Sequence, residues 1–381
     1  MFDFEQGPIR PPSEAKSLLI RATRNCPWNR CEFCHTYKGQ KFAIRSVDDI
    51  KDDIRKVRDI AEDIRQISRR LGHGGTVTDE VVQFVFDQYP RFGQSHRSMA
   101  YWLYFGGTQA FIQDANSLIM KTEDLVAVLT FLRENFPEIN RITSYGRSKT
   151  LAKKTVEELR FLHEAGLSRI HVGMETGCDP LLAYVRKGVT AREHVEAGKR
   201  VVESGISLCE YVMPGLGGRR WSHEHAIETA RTLNQIDPDY IRLRTLYVRS
   251  DMILYQKVQS GEMRLLDDDD VVREIRLFID HLDGIHSRLV SDHILNLLEE
   301  LTGAFPHDKA KLLGIIDRYL ALPDEERLIF KVGRRAGLFH CLDDIDDQAT
   351  RLRVEEAVCR LRQHGDGQVE EKLKSIMAGY I

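Results

Sequence analysis

Short apolar runs alternate with amphipathic segments between about residues 17 and 247. The apolar runs predict buried strands at Ser17–Thr23, Ala110–Gln113, Arg141–Tyr145, Arg169–Glu175, Ser207–Met213 and Tyr240–Tyr247. Helical spacing of apolar residues predicts helices between them, at about 122–136, 152–165, 191–204 and 222–236. This alternation predicts an α/β fold with a parallel sheet. A curved, incomplete (β/α) barrel and an open doubly wound sheet both fit the six strands.

Two other parts of the chain are predicted to be mostly helical. Ser46 has the spacing of an N-cap to Asp49, and the helix that follows reaches about Arg70. Helical pieces at about 78–88 and 94–105 form a helical insertion at about 71–107. We expect one domain over residues 1–250 and a mostly helical C-terminal extension over residues 251–381, with an acidic helix start at Asp267–Asp270.

Composition and charge exclude several classes of protein. The chain has 58 acidic and 55 basic residues, a net charge of −3, which does not indicate a nucleic-acid-binding protein. No apolar run approaches the ~18 residues that a membrane span needs. The segment Met1–Pro12 lacks the apolar region of a secretory signal. We therefore expect a cytoplasmic protein without a membrane or nucleic-acid partner.

Three of the seven cysteines, Cys26, Cys31 and Cys34, lie within nine residues in a C-x4-C-x2-C pattern. Such clustering is more typical of metal binding than of a disulfide framework. Electron-transfer clusters usually take four cysteines, so three thiolates would leave one iron of a [4Fe–4S] cluster open to a small molecule. Structural zinc is the alternative, and His35 is its only nearby fourth ligand. The isolated cysteines are predicted to be small hydrophobic residues rather than ligands of a second cluster, and they are Cys178, Cys209, Cys341 and Cys359.

The cysteine loop resembles that of radical S-adenosylmethionine (radical SAM) enzymes. Their usual pattern is C-x3-C-x2-C with an aromatic residue before the last cysteine, and Phe33 occupies that position here. The first interval is one residue longer in this chain. The residues that follow, to about 250, resemble the family's barrel, especially that of the coproporphyrinogen oxidase-like branch. The resemblance implies a partial (β/α)6 barrel, a [4Fe–4S] cluster on the three cysteines, and S-adenosylmethionine (SAM) bound to the open iron.

The resemblance also implies an activity. In this family one electron cleaves SAM to a 5′-deoxyadenosyl radical, which abstracts hydrogen from a substrate. We therefore expect an oxidoreductase or transferase that acts on a small or medium-sized substrate and takes its electron from a flavodoxin or ferredoxin. Some proteins of the same branch resemble haem chaperones that keep the cluster. The alternative is accordingly a non-catalytic protein that binds haem or another tetrapyrrole.

Polar residues at the ends of the second and third predicted strands are candidates for holding SAM. Asp114 stands where the family carries an acceptor for the SAM ammonium group, and helix capping is the alternative for this residue. Ser144 can meet the cofactor at the end of the third strand. Arg147 follows it and could pair with the SAM carboxylate, because a guanidinium fits a carboxylate through two hydrogen bonds. An ordinary surface arginine is the alternative.

The fourth and fifth predicted strands supply three more candidates. The fourth ends in Gly173-Met-Glu-Thr-Gly177, which resembles the Gly-Leu-Glu-Ser-Gly of the family. Glu175 is expected to contact SAM there, with a structural salt bridge as the alternative. Thr176 stands where a hydroxyl would meet the ribose or carboxylate. Gly215, within the turn after the fifth strand, would allow close approach of the adenine, and an ordinary Pro-Gly turn into a helix is the alternative.

Histidines near two predicted helix starts are considered next, His293 near one and His223 and His225 near the other. Ser291 is expected to be the N-cap of a helix over Ile294–Leu301, with His293 in its first turn. The alternative is that Asp292 or His293 faces a substrate as an acid, a base or a hydrogen-bonding group. His223 and His225 near the start of another helix are expected to face solvent, because their spacing does not place two metal ligands on one face of a helix.

Overall fold

The computed structural model describes residues 3–88, 92–362 and the positions 373, 376 and 377. The described residues form two compact units. The first unit draws on Met1–Arg30, Thr36–Val172 and Glu196–Leu208. The second draws on Cys31–His35, Gly173–Val195 and Cys209–Ile381. The domain boundary that the sequence predicts near residue 250 stays a prediction.

The elements follow the predicted alternation closely. Up to Glu164 they are β1 (Leu18–Arg21), β2 (Thr23–Arg24), β3 (Ala43–Ile44), α1 (Val47–Arg70), α2 (Asp79–Asp87), α3 (Gln94–Tyr104), β4 (Gln109–Gln113), α4 (Thr122–Asn135), β5 (Arg141–Gly146), α5 (Ser148–Leu151) and α6 (Val156–Glu164). The next are β6 (Leu167–Glu175), α7 (Asp179–Tyr184), α8 (Ala191–Glu203), β7 (Ser207–Val212), α9 (Gly218–Ile236) and β8 (Tyr240–Leu243). The last are α10 (Ile253–Gln259), α11 (Asp268–Asp280), β9 (Arg288–Val290), β10 (Gly303–Ala304), α12 (Lys309–Ala321), α13 (Asp324–Arg335) and α14 (Gln348–Arg362).

The main sheet is mostly parallel and has the strand order β1-β4-β5-β6-β7-β8-β9-β10. In the first unit, Leu18 pairs with Ala110, and Ala110 pairs with Ile142. In the second unit, Cys209 of β7 pairs with Tyr240 of β8. The six predicted strands follow one another in chain order, whereas a doubly wound sheet reverses its strand order at a switch point. The order is that of a partial (β/α)6 barrel, so the α/β prediction is confirmed.

Local sequence accounts for the long helix of the first unit. The Ser46 hydroxyl accepts a hydrogen bond from the Asp49 amide at 3.1 Å, which confirms the predicted N-cap of α1. The buried face of α1 repeats at helical spacing and includes Ile50, Ile54, Val57, Ile60, Ala61, Ile64 and Ile67. The acidic start of α11 is also confirmed, because Asp267 caps it by accepting from the Asp270 amide at 2.8 Å.

The C-terminal extension differs from the prediction at two places. It is mostly helical, but β9 and β10 add two short strands to the main sheet. The predicted helix over Ile294–Leu301 is wrong, because the chain there is irregular. Ser291 is not its N-cap: the hydroxyl donates to the Leu298 carbonyl at 2.7 Å. The Asn296 side chain donates to the Leu243 carbonyl at 2.8 Å, which holds this segment against the end of β8.

A buried carboxylate ties the N-terminal segment to the sheet of the first unit. Glu14 is fully buried and pairs with Arg141 at the start of β5. It also accepts from the Ser17 hydroxyl at 2.7 Å and lies 3.3 Å from Nε2 of His171. Burial opposes ionisation, but the hydrogen bond from His171 and the charge of Arg141 outweigh it and lower the pKa of Glu14 to about 2.

This pKa predicts a pH-dependent contribution to stability. A carboxyl whose pKa is depressed on folding stabilises the fold above its ordinary pKa of 4.5, and this stabilisation is lost as the pH falls toward 2. We expect Glu14→Gln to lower the free energy of unfolding at pH 7 by about 1–3 kcal/mol. The difference in free energy of unfolding between the variant and the original chain should become smaller below pH 4.5. Urea denaturation at several pH values measures the free energy of unfolding of both proteins. Glu134→Gln, at an exposed position of α4, is the control; equal losses in both variants would contradict the assignment.

Candidate functional site

The second part of the cysteine loop is anchored in the second unit through Glu32. The Glu32 amide donates to the Val185 carbonyl at 3.0 Å, and the Glu32 carbonyl accepts from the Leu254 amide at the same distance. Its carboxylate forms an ion pair with Lys257 at 2.7 Å. These contacts fix the residue before Phe33, so this part of the loop is held by backbone hydrogen bonds and by one charged side chain.

Two of the three clustered cysteines are packed in an apolar surrounding. Cys31 and Cys34 are half-buried against a cluster that includes buried Phe33. Other members of that cluster are Cys178, Leu181, Val185, Met213, Leu216, Leu254 and Met263. Cys26 is half-buried and belongs to the first unit. An apolar surrounding of this kind fits an iron–sulfur cluster, whose reduction potential depends on burial.

The described residues contain no group of three or more His, Cys, Asp or Glu side chains arranged to hold a single metal ion. A [4Fe–4S] cluster does not need that convergence, because each cysteine thiolate binds a different iron. None of the seven cysteines forms a disulfide. The assignment of Cys26, Cys31 and Cys34 as cluster ligands stays a prediction.

Asp114 of the first unit already has internal partners. Its fully buried carboxylate accepts from Nη2 and Nε of Arg21 at 2.8 and 3.1 Å and from the Tyr37 hydroxyl. Burial and the charge of Asp114 raise the pKa of Tyr37, so this phenol remains a donor. Arg21 also pairs with Glu5 at 3.1 Å. A ligand ammonium group would have to share the Asp114 carboxylate with Arg21 and Tyr37. The carboxylate binds these two side chains and does not cap a helix.

Ser144 and Arg147 differ in how far their side chains are engaged. The buried Ser144 hydroxyl donates to the Ile112 carbonyl of the neighbouring strand at 3.0 Å. The Arg147 amide donates to the Asn116 side chain at 3.0 Å, and the Arg147 guanidinium lies 5.5 Å from the centre of the Trp28 ring. Trp28 lies between the first two clustered cysteines in the sequence. A cation–π contact therefore holds Arg147 beside the cysteine loop.

Glu175 ends β6 beside the cysteine loop of the second unit. Its carboxylate forms an ion pair with Lys187 at 2.9 Å, and the Lys187 ammonium lies 5.4 Å from the centre of the Phe33 ring. A Cβ at position 173 would come within 2.4 Å of the Glu175 carboxylate, so the glycine leaves room for the ion pair in its present position. The salt bridge considered for Glu175 is thus present, and it lies against the loop.

Glu210 of β7 is a buried carboxyl group that the sequence predictions did not include. It is almost completely buried, and its Oε2 has no hydrogen-bond partner among the described residues. Burial raises the pKa of Glu210 well above its ordinary value, against the opposing charge of Lys187, while Glu175 raises it further. The charges of Lys187 and Glu175 thus both act on this buried carboxyl group. Its position on a strand among apolar residues is the signal that the sequence offered.

Thr176 belongs to a buried hydrogen-bond network in the second unit. Nε2 of His225 donates to the Met213 carbonyl at 3.1 Å, so Nδ1 is the acceptor for the Thr176 hydroxyl at 2.8 Å. The prediction that His225 faces solvent is wrong. Helix α9 places His225 on the same buried face as Thr229, Ala230 and Leu233. The neighbouring His223 is exposed, as predicted.

Gly215 is held by the same network. Its amide donates to Oε1 of Glu274 on α11 at 2.7 Å, and its φ of 84° is one that glycine favours. Oε1 of Glu274 also lies 3.6 Å from Nε2 of His225. Burial raises the pKa of Glu274 to about 7 and lowers that of His225 to about 4. A cavity of about 10 Å³ beside both residues is the size of one water molecule.

Comparisons with known proteins agree in part with this picture. No model of a known protein family matches the chain. The uncharacterized protein MJ0486 of Methanocaldococcus jannaschii is 24% identical over 149 residues, 39% of this chain and 46% of that protein. The heme chaperone HemW of Bacillus subtilis is 26% identical over 142 residues, 36% of this chain and 37% of that protein. The chain thus matches less than half the length of each of these curated relatives.

Solved structures with a similar fold include one that is described as a radical SAM enzyme. This structure is coproporphyrinogen III oxidase (HemN) from Escherichia coli, which is 14% identical in sequence. The match covers 70% of this chain and 52% of that chain, with a TM-score of 0.43. The methyltransferase TsrM from Kitasatospora setae, solved with cobalamin and a [4Fe–4S] cluster, has 13% identity, coverages of 90% and 62%, and a TM-score of 0.45. Methylornithine synthase (PylB) has 14% identity, coverages of 88% and 85%, and a TM-score of 0.41.

The sequence residues that carry the radical SAM resemblance lie in both units. Within the second unit the structure brings Glu175 close to Phe33 through Lys187. Thr176 and Gly215 are instead joined through His225 and Glu274. Periodicity could have identified Glu274, because it falls between Val271, Ile275 and Phe278 on the buried face of α11.

Other sequence predictions have mixed outcomes. Cys178 and Cys209 are buried, as expected of small hydrophobic residues, whereas Cys341 is half-buried and Cys359 is exposed.

No helix in the described ranges is both long and apolar enough to cross a membrane.

The pKa of Glu274 predicts how a variant will respond to pH. A carboxyl whose pKa is raised from 4.5 to about 7 on folding stabilises the fold when protonated, and this stabilisation is lost as the pH rises from 4.5 through 7. Glu274→Gln keeps an oxygen for the Gly215 amide and does not ionise. We expect its free energy of unfolding to gain up to about 3 kcal/mol relative to the original chain between pH 5 and pH 8.

Urea denaturation at those two pH values measures the change. Glu262→Gln, at an exposed position of the same unit, is the control and should leave the pH dependence unaltered. Parallel pH curves for the original chain and Glu274→Gln would contradict the assignment.

Proposed function

We propose that this chain is a radical SAM enzyme that holds a [4Fe–4S] cluster on Cys26, Cys31 and Cys34. The observation that carries the proposal is the contact of the Glu175–Lys187 pair with Phe33 of the cysteine loop. It sets a carboxylate and an ammonium group at the carboxyl end of β6, where ligands of such folds bind. When bound, the cluster and SAM supply an electron transfer and a 5′-deoxyadenosyl radical that abstracts hydrogen from the substrate.

The chain's own residues would bind and orient SAM. Glu175 offers an acceptor and Lys187 a donor, which suits a ligand that carries both an ammonium and a carboxylate group. Arg147, held over Trp28, offers a second donor for a carboxylate. Asp114 offers a further acceptor, shared with Arg21.

The other candidates would act by positioning. The hydroxyl groups of Ser144 and Thr176 and the amide of Gly215 are engaged by buried internal partners. We infer that they fix the backbone at the strand ends against which SAM lies. The substrate is proposed to be a small or medium-sized molecule, and the electron to come from an external flavodoxin or ferredoxin.

Replacement of one cysteine tests the cluster and the activity together. After anaerobic reconstitution we expect about four irons and four sulfides per chain, and 5′-deoxyadenosine when SAM and dithionite are added. Cys31→Ala should lose at least about nine tenths of the 5′-deoxyadenosine, because a cluster with only two cysteine ligands is poorly retained. Iron and sulfide analysis and chromatography of the nucleoside measure these outcomes.

Cys359→Ala is the matched control, because this cysteine is exposed and isolated in the sequence. It should retain both the cluster and the product. Zinc in place of iron, or equal product from Cys31→Ala and Cys359→Ala, would contradict the proposal.

The partial match to a heme chaperone favours one alternative function. In that case the chain would bind haem and keep the cluster without producing 5′-deoxyadenosine. We expect instead that haem titration, followed by its visible absorption, gives no saturable one-to-one complex at micromolar concentrations. Tight haem binding together with absence of the nucleoside product would overturn the enzyme proposal in favour of the chaperone.

A further inference from the structure

A cavity in the first unit lies beside the amino end of β1. Its volume is about 360 Å³, and pockets that hold small molecules have volumes of roughly 300–1,000 Å³. The N-terminal segment, the start of β1 and helices α2 and α3 contribute its walls. None of the residues considered for SAM lines this cavity. It is therefore a separate place in the fold where a ligand could bind.

The described residues that line this cavity include three basic residues and no acidic one. The basic residues are Arg10, Lys16 and Arg97. Arg10 and Lys16 are exposed and form no ion pair with a described residue. Two carboxylates nearby in the sequence, Glu5 and Glu14, pair with other arginines. The positive charge of the cavity therefore favours a ligand that carries an anionic group.

A run of aromatic rings connects two of these cations. The Arg97 guanidinium lies 4.1 Å from the centre of the Phe86 ring. The centres of the Phe86 and Tyr101 rings are 5.2 Å apart, edge to face, and those of the stacked Tyr101 and Phe105 rings are 6.3 Å apart. The Lys16 ammonium lies 4.2 Å from the centre of the Phe105 ring. Flat apolar surface thus lies between two positive charges.

Hydrogen bonds hold the walls of the cavity in place. The Gln113 side chain donates to the Ile9 carbonyl at 2.7 Å and accepts from the Gly7 amide at 2.8 Å, which fixes the N-terminal segment. Nε1 of Trp102 donates to the Gln109 carbonyl at 2.8 Å, which fixes α3 against the start of β4. Walls that are already ordered lower the entropic cost of binding a ligand.

We propose that this cavity binds a small molecule with a planar aromatic ring and a carboxylate or phosphate group. Arg10 and Lys16 offer donors for the oxyanion. Tyr101, whose side chain is 48% exposed, and the neighbouring Phe86 offer ring surface on which a planar group can stack. The inference does not rest on the proposed function, because the cavity and the candidate SAM site share no residue.

Calorimetric titration of the full chain with four simple probes tests this site. Naphthoate and naphthyl phosphate carry both a ring and an anionic group, and the tighter of the two identifies the preferred oxyanion. Naphthamide has the ring without the charge, and inorganic phosphate has the charge without the ring. We expect a ring anion to bind with a Kd below about 1 mM, at least about tenfold more tightly than either simpler probe. Absence of such binding, or equal binding of a simpler probe, would overturn the proposal.

Replacement of lining residues shows whether the ring anion binds in this cavity. The double variant Arg10→Ala/Lys16→Ala should weaken its binding at least about tenfold, because two of the three positive charges are removed. Tyr101→Ala should weaken it by roughly three- to tenfold, because one stacking surface is removed. All three side chains are exposed, so the variants should fold, and thermal unfolding checks this.

Arg70→Ala/Lys121→Ala is the matched control. Both side chains are exposed in the first unit, and neither lines the cavity. The control removes the same two charges and should bind the ring anion as tightly as the original chain does. Undiminished binding to Arg10→Ala/Lys16→Ala or to Tyr101→Ala, or an equal loss in the control, would place the ligand elsewhere and overturn the site.

Discussion

The ion pair between Lys187 and Glu175 is the interaction on which the site of the second unit depends. Both side chains are mostly buried, and the charges of both act on the buried carboxyl group of Glu210. Removing one partner of a buried pair is costly because the other charge remains without compensation. Since the ammonium also lies over Phe33, the pair joins the end of β6 to the cysteine loop. Glu175 keeps a φ of 67°, and its carbonyl accepts from the Met213 amide at 2.9 Å.

The strand pattern was predictable because each strand of the sheet is a short apolar run with its own local signal. All six predicted strands are present with ends that differ by a few residues, and β8 stops at Leu243 rather than Tyr247. Strands β9 and β10 have only three and two residues, too few for a recognisable period. The segment after Ser291 has the composition of a helix, but Asn296 draws it onto the end of β8. That tertiary contact overrides the local preference.

The site was only partly predictable, because sequence indicates which groups lie at strand ends but not which of them are already engaged. Asp114 stands at the expected place, yet Arg21, 93 residues earlier, binds its carboxylate. Gly215 is bound by Glu274, 59 residues later. His225 could have been assigned to the interior from the periodicity of α9.

The central claim is that the three cysteines hold a cluster with one iron open to SAM. Mössbauer spectroscopy of the chain reconstituted with iron-57, recorded with and without SAM, tests it most directly. The account predicts a [4Fe–4S] spectrum in which about one iron in four changes when SAM is added, because only that iron lacks a cysteine ligand. A spectrum that SAM leaves unaltered, or a chain that takes up zinc in place of iron, would contradict it.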